Sequence, residues 1–219
     1  MLTDVHTHST FSADGETPLS GMLARAQELG IAYYGIAEHF DYDYLADGIL
    51  PEGKTVPMID ASAYFSEVRR LQESYAGRMH VLAGGEFGYT SNPAAHRMYQ
   101  ETIARFSPDF VVNSVHSVNG KDAWFSEYFA GKTREEAYRS YLEKVRESLD
   151  APYPYDIVAH IGYVSRNAPY SDNLLHYADF PDLFDDILSV IIARGKILEV
   201  NSSARGAGDF LPGEDILAR

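Results

Sequence analysis

The sequence predicts an α/β fold, a parallel sheet curled into a TIM-like barrel. Two observations carry this. Short β-rich runs alternate with longer segments of helical spacing, the pattern of parallel strands joined by crossover helices. Five segments at the ends of these runs finish in a histidine or carboxylate, and the C-terminal ends of strands are where α/β barrels build their active sites.

The β-rich runs cover residues 2–5, 33–37, 81–84, 110–115, 156–159 and 196–200. After the first, Thr17 serves as a helix cap with Pro18 at the first helical position. Met22, Leu23, Ala26 and Leu29 form the apolar stripe, and Gly30 is the stop. Helices are expected over 61–75 and 93–106. Thr133 and Glu136 make a capping box ahead of Tyr138, Tyr141, Leu142, Val145 and Leu149. Pro181 opens another helix, with Leu183, Phe184, Ile187, Leu188, Ile191 and Ile192 on one face and Gly195 past its end. A last helix begins near Pro212. The connection from 40 to about 60 is too long for a simple turn, and loops of that length are usually functional.

Composition narrows the function. The 219 residues show no compositional break, so residues 1–219 are expected to form one domain, and 45% hydrophobic content supplies a core. No apolar run reaches a membrane span of about 20 residues, and Met1-Leu2-Thr3-Asp4 lacks the features of a signal peptide. A cytoplasmic location is expected. With no cysteine, any metal must be held by His, Asp or Glu. The net charge of −14, from 18 basic and 32 acidic residues, argues against a nucleic-acid surface. It leaves room for a small phosphorylated substrate, because bound divalent ions reverse the local field of a carboxylate-rich pocket.

The chemistry-bearing segments are Asp4-Val5-His6-Thr7-His8 with Asp14-Gly15 behind it, Glu38-His39, Gly84-Gly85-Glu86, Ser114-Val115-His116-Ser117 and Ala159-His160. Imidazoles and carboxylates grouped in this way suit divalent transition metals, zinc, manganese or iron. Period two places His6 and His8 on one face of their strand. Glu38 faces the other side from His39, and Asp4 lies deeper than His6, so both are read as supporting residues rather than ligands. His80, His96 and His176 have no comparable placement. Tyr42, Tyr44 and Tyr89 stand in or near loops at the metal face. Arg166 and Arg205 follow strand ends at the same face and suit paired contacts with phosphate oxygens.

These segments, with Phe11-Ser12-Ala13-Asp14-Gly15 and Glu199-Val200-Asn201, resemble the polymerase-and-histidinol-phosphatase (PHP) family of metal-dependent phosphoesterases, in its histidinol-phosphatase branch. The resemblance runs through nearly the whole chain in order. It implies a distorted (β/α)7 barrel with two or three metals per chain. His6, His8 and Glu86 would hold one, Glu86, His116 and His160 a second, and Asp14 and His39 the third, with Glu86 bridging. Arg166, Arg205 and Ser117 would face the phosphate, with Glu86 and both arginines serving catalysis. Asp41, Asp43 and Asp47 would attract a substrate ammonium group. The family's further Asp-x-His, after a seventh strand, has no counterpart beyond His160. The last strand and two ligands are therefore expected to be missing, leaving an open barrel edge suited to self-association.

The implied reaction is hydrolysis of a small phosphate monoester, with L-histidinol phosphate the best match. The alternatives are a phosphodiesterase or nuclease of the same family, and a metal-binding regulatory protein without turnover.

Overall fold

The structure is a computed structural model that describes residues 1–49, 55, 58–202 and 210–219. Its centre is a six-stranded parallel sheet. Strands β1 (Leu2–Thr7), β2 (Ile31–Phe40), β3 (His80–Gly88) and β4 (Phe110–Ser114) lie side by side in chain order. A small antiparallel hairpin follows, β5 (Ser117–Val118) and β6 (Lys121–Asp122), and then β7 (Ile157–Val158) and β8 (Ile197–Leu198) complete the sheet. Among the described residues β1 and β8 are the sheet's two edges, so the barrel is curled but open.

The helices are α1 (Leu19–Glu28), α2 (Tyr42–Asp47), α3 (Ala61–Tyr75), α4 (Pro93–Phe106), α5 (Ser126–Phe129), α6 (Arg134–Ser148), α7 (Pro181–Ala193) and α8 (Glu214–Leu217). Their starts follow local chemistry. Thr133 and Glu136 close the expected capping box on α6, and Asn92 accepts from Ala94 N–H ahead of Pro93. At α1 the structure corrects the sequence reading: Pro18 is itself the N-cap, and the helix begins at Leu19 without a side-chain cap. Similarly, Ile192 of α7 is 74% exposed, because the buried stripe is Phe184, Ile187 and Ile191 and the helical period carries Ile192 off it.

Two apolar layers result. The larger lies between sheet and helices, with Tyr64, Tyr99, Tyr138 and Tyr141 fully buried. The smaller fills the inside of the curl with Ala37, Phe110, Val112, Ile157 and Ala159, flanked by Val5 and Leu82. The Phe110 ring occupies space that any side chain on Gly84 or Gly35 would invade. A Cβ there would lie 2.3 Å and 2.8 Å from it. This apolar plug is the floor beneath the polar residues at the strands' C-terminal ends.

Candidate metal centre

Alternation along each strand decides which side chains stand above that floor. On β2, His39 follows Ala37 on the inner face; on β3, Glu86 follows Leu82 and Gly84; beyond β4, His116 follows Val112 and Ser114. His39 and Glu86 are direct partners across the β2–β3 ladder. Two residues break the alternation. Val5 packs inward, so a regular strand would send His6 outward, but the β1–β2 register slips between Asp4 and Thr7. This bulge turns His6 in, with its ring 5.1 Å from that of His8. His160 follows the inward Ala159 and has φ 65°, a left-handed conformation rare for a residue with a side chain. Its N–H donates to Glu199 Oε2 at 3.0 Å, and its carbonyl lies 2.6 Å from the Tyr141 hydroxyl. The same hydroxyl is 2.7 Å from the Val115 carbonyl, so one tyrosine ties down the segments carrying His116 and His160.

Glu86 is the hub. It is 1% exposed, and five imidazoles surround its carboxylate. Oε1 lies 3.0 Å from His160 Nε2 and 3.2 Å from His116 Nε2. Oε2 lies 3.1 Å from His39 Nδ1, 3.3 Å from His6 Nε2 and 3.5 Å from His8 Nε2. His6 Nε2, His8 Nδ1, His39 Nδ1, His116 Nδ1 and Glu86 Oε2 are buried without a satisfactory hydrogen bond. Buried polar atoms left unpaired are costly, and with five imidazole nitrogens gathered round the Glu86 carboxylate the donor set fits metal ions. Three groups have ligand atoms within 4.8 Å of one another: His6, Glu86 and His160; His39, Glu86 and His116; and His8, Asp14 and His39. The seven expected metal-site residues thus come together, but in a different partition. His8 falls with Asp14 and His39, and His160 falls with His6.

The electrostatics match a site built for positive charge. Burial pushes the His6 pKa down, but the Glu86 and Glu199 carboxylates together raise it to about 10. His39 also rises well above its ordinary value, as Glu86, Asp14 and Asp41 outweigh burial. Burial dominates at His8 and lowers it to about 4. The His39 imidazole beside it brings Asp14 down to about 2. Burial alone would raise Glu86, yet the surrounding imidazoles hold it well below the carboxylate range.

The residues around the ligands take roles that the sequence did not assign them. Glu199 accepts from His6 Nδ1 at 2.5 Å and lies 3.3 Å from His160 Nδ1. It therefore orients two imidazoles from behind, the usual partnership of a carboxylate with a metal-binding histidine. Asp4 is exposed rather than deep. Asp122 accepts from Tyr44 Oη at 2.5 Å and Tyr163 Oη at 3.2 Å, which makes one wall of the site. It is delivered by the β5–β6 hairpin, whose Asn119 (φ 52°) and Gly120 (φ 74°) form the turn. Asn-Gly between short strands is a hairpin signal, and it could have located Asp122.

These residues open onto a cavity of about 890 Å³. Arg166 lines it as the one Lys or Arg among the described lining residues, with its guanidinium 3.0 Å from Asn201 Oδ1 and 5.5 Å from the Tyr163 ring centre. Arg205 lies outside the described residues. Ser117 does not line this cavity: it is buried in β5 and borders a second, smaller hollow with Asn119 and Lys144. Of the three loop aspartates only Asp41 reaches the cavity. Helix α2 turns Asp43 into the protein, under Gly88 and beside the Tyr99 hydroxyl, where burial raises its pKa to about 7. Asp47 instead accepts from Thr90 and Asn92. Among the tyrosines, Tyr44 lines the cavity, while Tyr42 contacts Thr102 and Tyr89 contacts Glu147.

The chain is similar to the histidinol-phosphatase of Lactococcus lactis, 28% identical over 208 residues that span 91% of this chain and 71% of the relative. A crystal structure of histidinol phosphate phosphatase from Lactococcus lactis, complexed with zinc, L-histidinol and phosphate, superposes with a TM-score of 0.81 at 27% identity. That match covers 92% of this chain and 73% of the other. A structure from Listeria monocytogenes superposes with a TM-score of 0.82 at 21% identity, covering 99% and 89%, and supports the fold alone. Residues 4–203 match the PHP domain, and the chain belongs to that family.

Proposed function

We propose that this chain is a metal-dependent phosphatase that hydrolyses L-histidinol phosphate to L-histidinol and inorganic phosphate. The observation that carries the proposal is the buried Glu86 carboxylate ringed by five imidazoles that line an open cavity. His6, His8, Asp14, His39, Glu86, His116 and His160 would hold two or three divalent ions, zinc, manganese or iron. When bound, such ions neutralise a phosphate dianion and lower the pKa of water to about 7 in favourable cases.

The chain's own residues then divide the remaining work. Glu199 holds His6 and His160 by their Nδ1 atoms, leaving each Nε2 directed at Glu86. Arg166, steadied by Asn201 and the Tyr163 ring, supplies a fork of donors to the phosphoryl oxygens. Arg205 is proposed as a second phosphate ligand from the sequence alone. Asp41, at the cavity wall, offers a negative charge to the substrate ammonium group. The same reading treats residues 1–219 as one hydrolase domain working in the cytoplasm; no described helix is long and apolar enough to cross a membrane. Among the described residues β1 and β8 have no further strand beside them, and these edges would pair with a second copy.

The substrate proposal is tested by phosphate release from three compounds: L-histidinol phosphate, an amine-free alkyl phosphate and an oligonucleotide phosphodiester. A kcat/KM at least about tenfold higher for the first is expected, since a desolvated ammonium–carboxylate contact contributes on the order of 1.4 kcal/mol or more. Equal values for the two monoesters would reduce the function to a general phosphatase. Preference for the diester would replace it with a nuclease.

A further inference from the structure

The segment joining β1 to α1 carries His8 and Asp14, and it is wound around a carboxylate that faces away from the metal centre. Glu38 is fully buried on β2, next to His39 but on the opposite side of the strand. Its Oε1 accepts the Ser9 hydroxyl at 2.5 Å, and its Oε2 accepts the Ser12 hydroxyl at 2.5 Å. The Ser9 N–H lies 3.1 and 3.2 Å from the two oxygens. Ser12 Oγ in turn accepts the His39 main-chain N–H at 2.9 Å, which locks the segment to the strand it must meet.

The turn above this anchor is tight. Ser12 N–H donates to Ser9 O at 2.9 Å and Gly15 N–H to Ser12 O at 3.2 Å. A Cβ on Gly15 would fall 1.8 Å from the Ser9 carbonyl oxygen, so only glycine allows the chain to close there. The result is that Asp14, though its side chain is 62% exposed, arrives 3.6 Å from His39 Nε2. Among the described residues this network touches the other two ligand groups only at the main chain of His39, which strand β2 places on its own and which is shared with Glu86 and His116. His6, His116 and His160 are placed by the β1 bulge, Tyr141 and Glu199.

We propose that Glu38 is a positioning residue that brings His8 and Asp14 to His39, making the β1–α1 segment a separable module for one of the metal ions. The proposal rests on the metal-dependent reading given above. A carboxylate suits this place because the Ser9 N–H and both serine hydroxyls are all donors to it. A glutamine offers one acceptor oxygen and sets its amide against a hydroxyl that already donates inward.

The test is calorimetric titration of zinc into chelator-stripped protein, with elemental analysis of the reloaded protein and the thermal midpoint of the stripped form. Glu38→Ala is expected to lose about one ion per chain relative to wild type, with the other binding events kept. Asp14→Ala should lose the same ion, and the double variant should lose no more than either single one. Glu38→Gln and Ser12→Ala should retain the ion with affinity lowered about 10–100-fold, the range seen when a supporting partner is removed. If Glu38→Ala fails to fold, these milder variants carry the test, since their stripped forms should melt close to wild type. Equal weakening of every binding event, additive loss in the double variant, or unchanged zinc affinity in both milder variants would overturn the proposal. Wild-type protein that binds no zinc would overturn the metal reading itself, and is recognised because no variant is needed to see it.

Discussion

Glu199 Oε1 lies 2.5 Å from His6 Nδ1, joining residues 193 positions apart in the chain. The contact brings the ends of β1 and β8, the two edges of the open sheet, to one carboxylate. A single residue behind the site thereby fixes the ring orientation of His6 and, through Oε2, of His160. Glu199→Gln should therefore lower zinc affinity about 10–100-fold without abolishing binding, as removal of a supporting partner does elsewhere. Titration calorimetry on stripped protein checks this, and unchanged affinity would remove Glu199 from the account.

Glu86 should be the most damaging position. Its oxygens face five imidazoles from two of the three ligand groups and the edge of the third. Glu86→Ala is expected to lose more metal than His160→Ala, which withdraws one ligand from one group. Elemental analysis of the two variants side by side decides the order.

Metal uptake should release protons. His6, raised to about 10, and His39, raised well above its ordinary value, carry protons near neutral pH in the metal-free protein. A cation must displace them, so zinc affinity should rise with pH across about 6 to 9. The metal-free protein should show a matching stability profile. His6, raised on folding, stabilises fully below about 6.5, and this is lost as pH climbs through about 10. Asp14 works the other way: its contribution is present above its ordinary carboxylate range and is lost as pH falls toward 2. Because Asp14 is largely exposed, its share is small. Thermal midpoints of stripped protein at pH 6 and pH 10 test the larger effect, and a higher midpoint at pH 10 would contradict it.

Tyr141→Phe removes a buried hydroxyl shared by the Val115 and His160 carbonyls. A cost of about 1–3 kcal/mol is expected, because at least one buried carbonyl loses its partner. Denaturant unfolding measures it. Loosening of His116 and His160 should also appear as weaker zinc binding.

The sheet was largely legible in the sequence because its strands are rich in valine, isoleucine and tyrosine and alternate with helices bearing clear caps. Helices α3 and α4 occupy 61–75 and 93–106 as expected. Strands β2 and β3 run past their expected ends, through His39 and Glu86, where glycine and charged residues have low strand propensity but pairing with neighbours prevails. Single-residue directions were harder to read. The bulge at His6 and the left-handed backbone at His160 change which face a side chain takes, and neither follows from period two. The inward turn of Asp43 depends on the axis of a short helix, and the role of Glu199 depends on contact between distant strands. Ser117 neighbours His116 in sequence, yet hairpin pairing buries it away from the cavity.

The most direct measurement of the central claim is phosphate release from L-histidinol phosphate by one preparation before chelation, after chelation and after reloading. The account predicts activity that vanishes as the metal is removed and returns as zinc, manganese or iron is restored to two or more ions per chain. Undiminished hydrolysis by stripped protein, or no hydrolysis by protein shown to hold its ions, would contradict it.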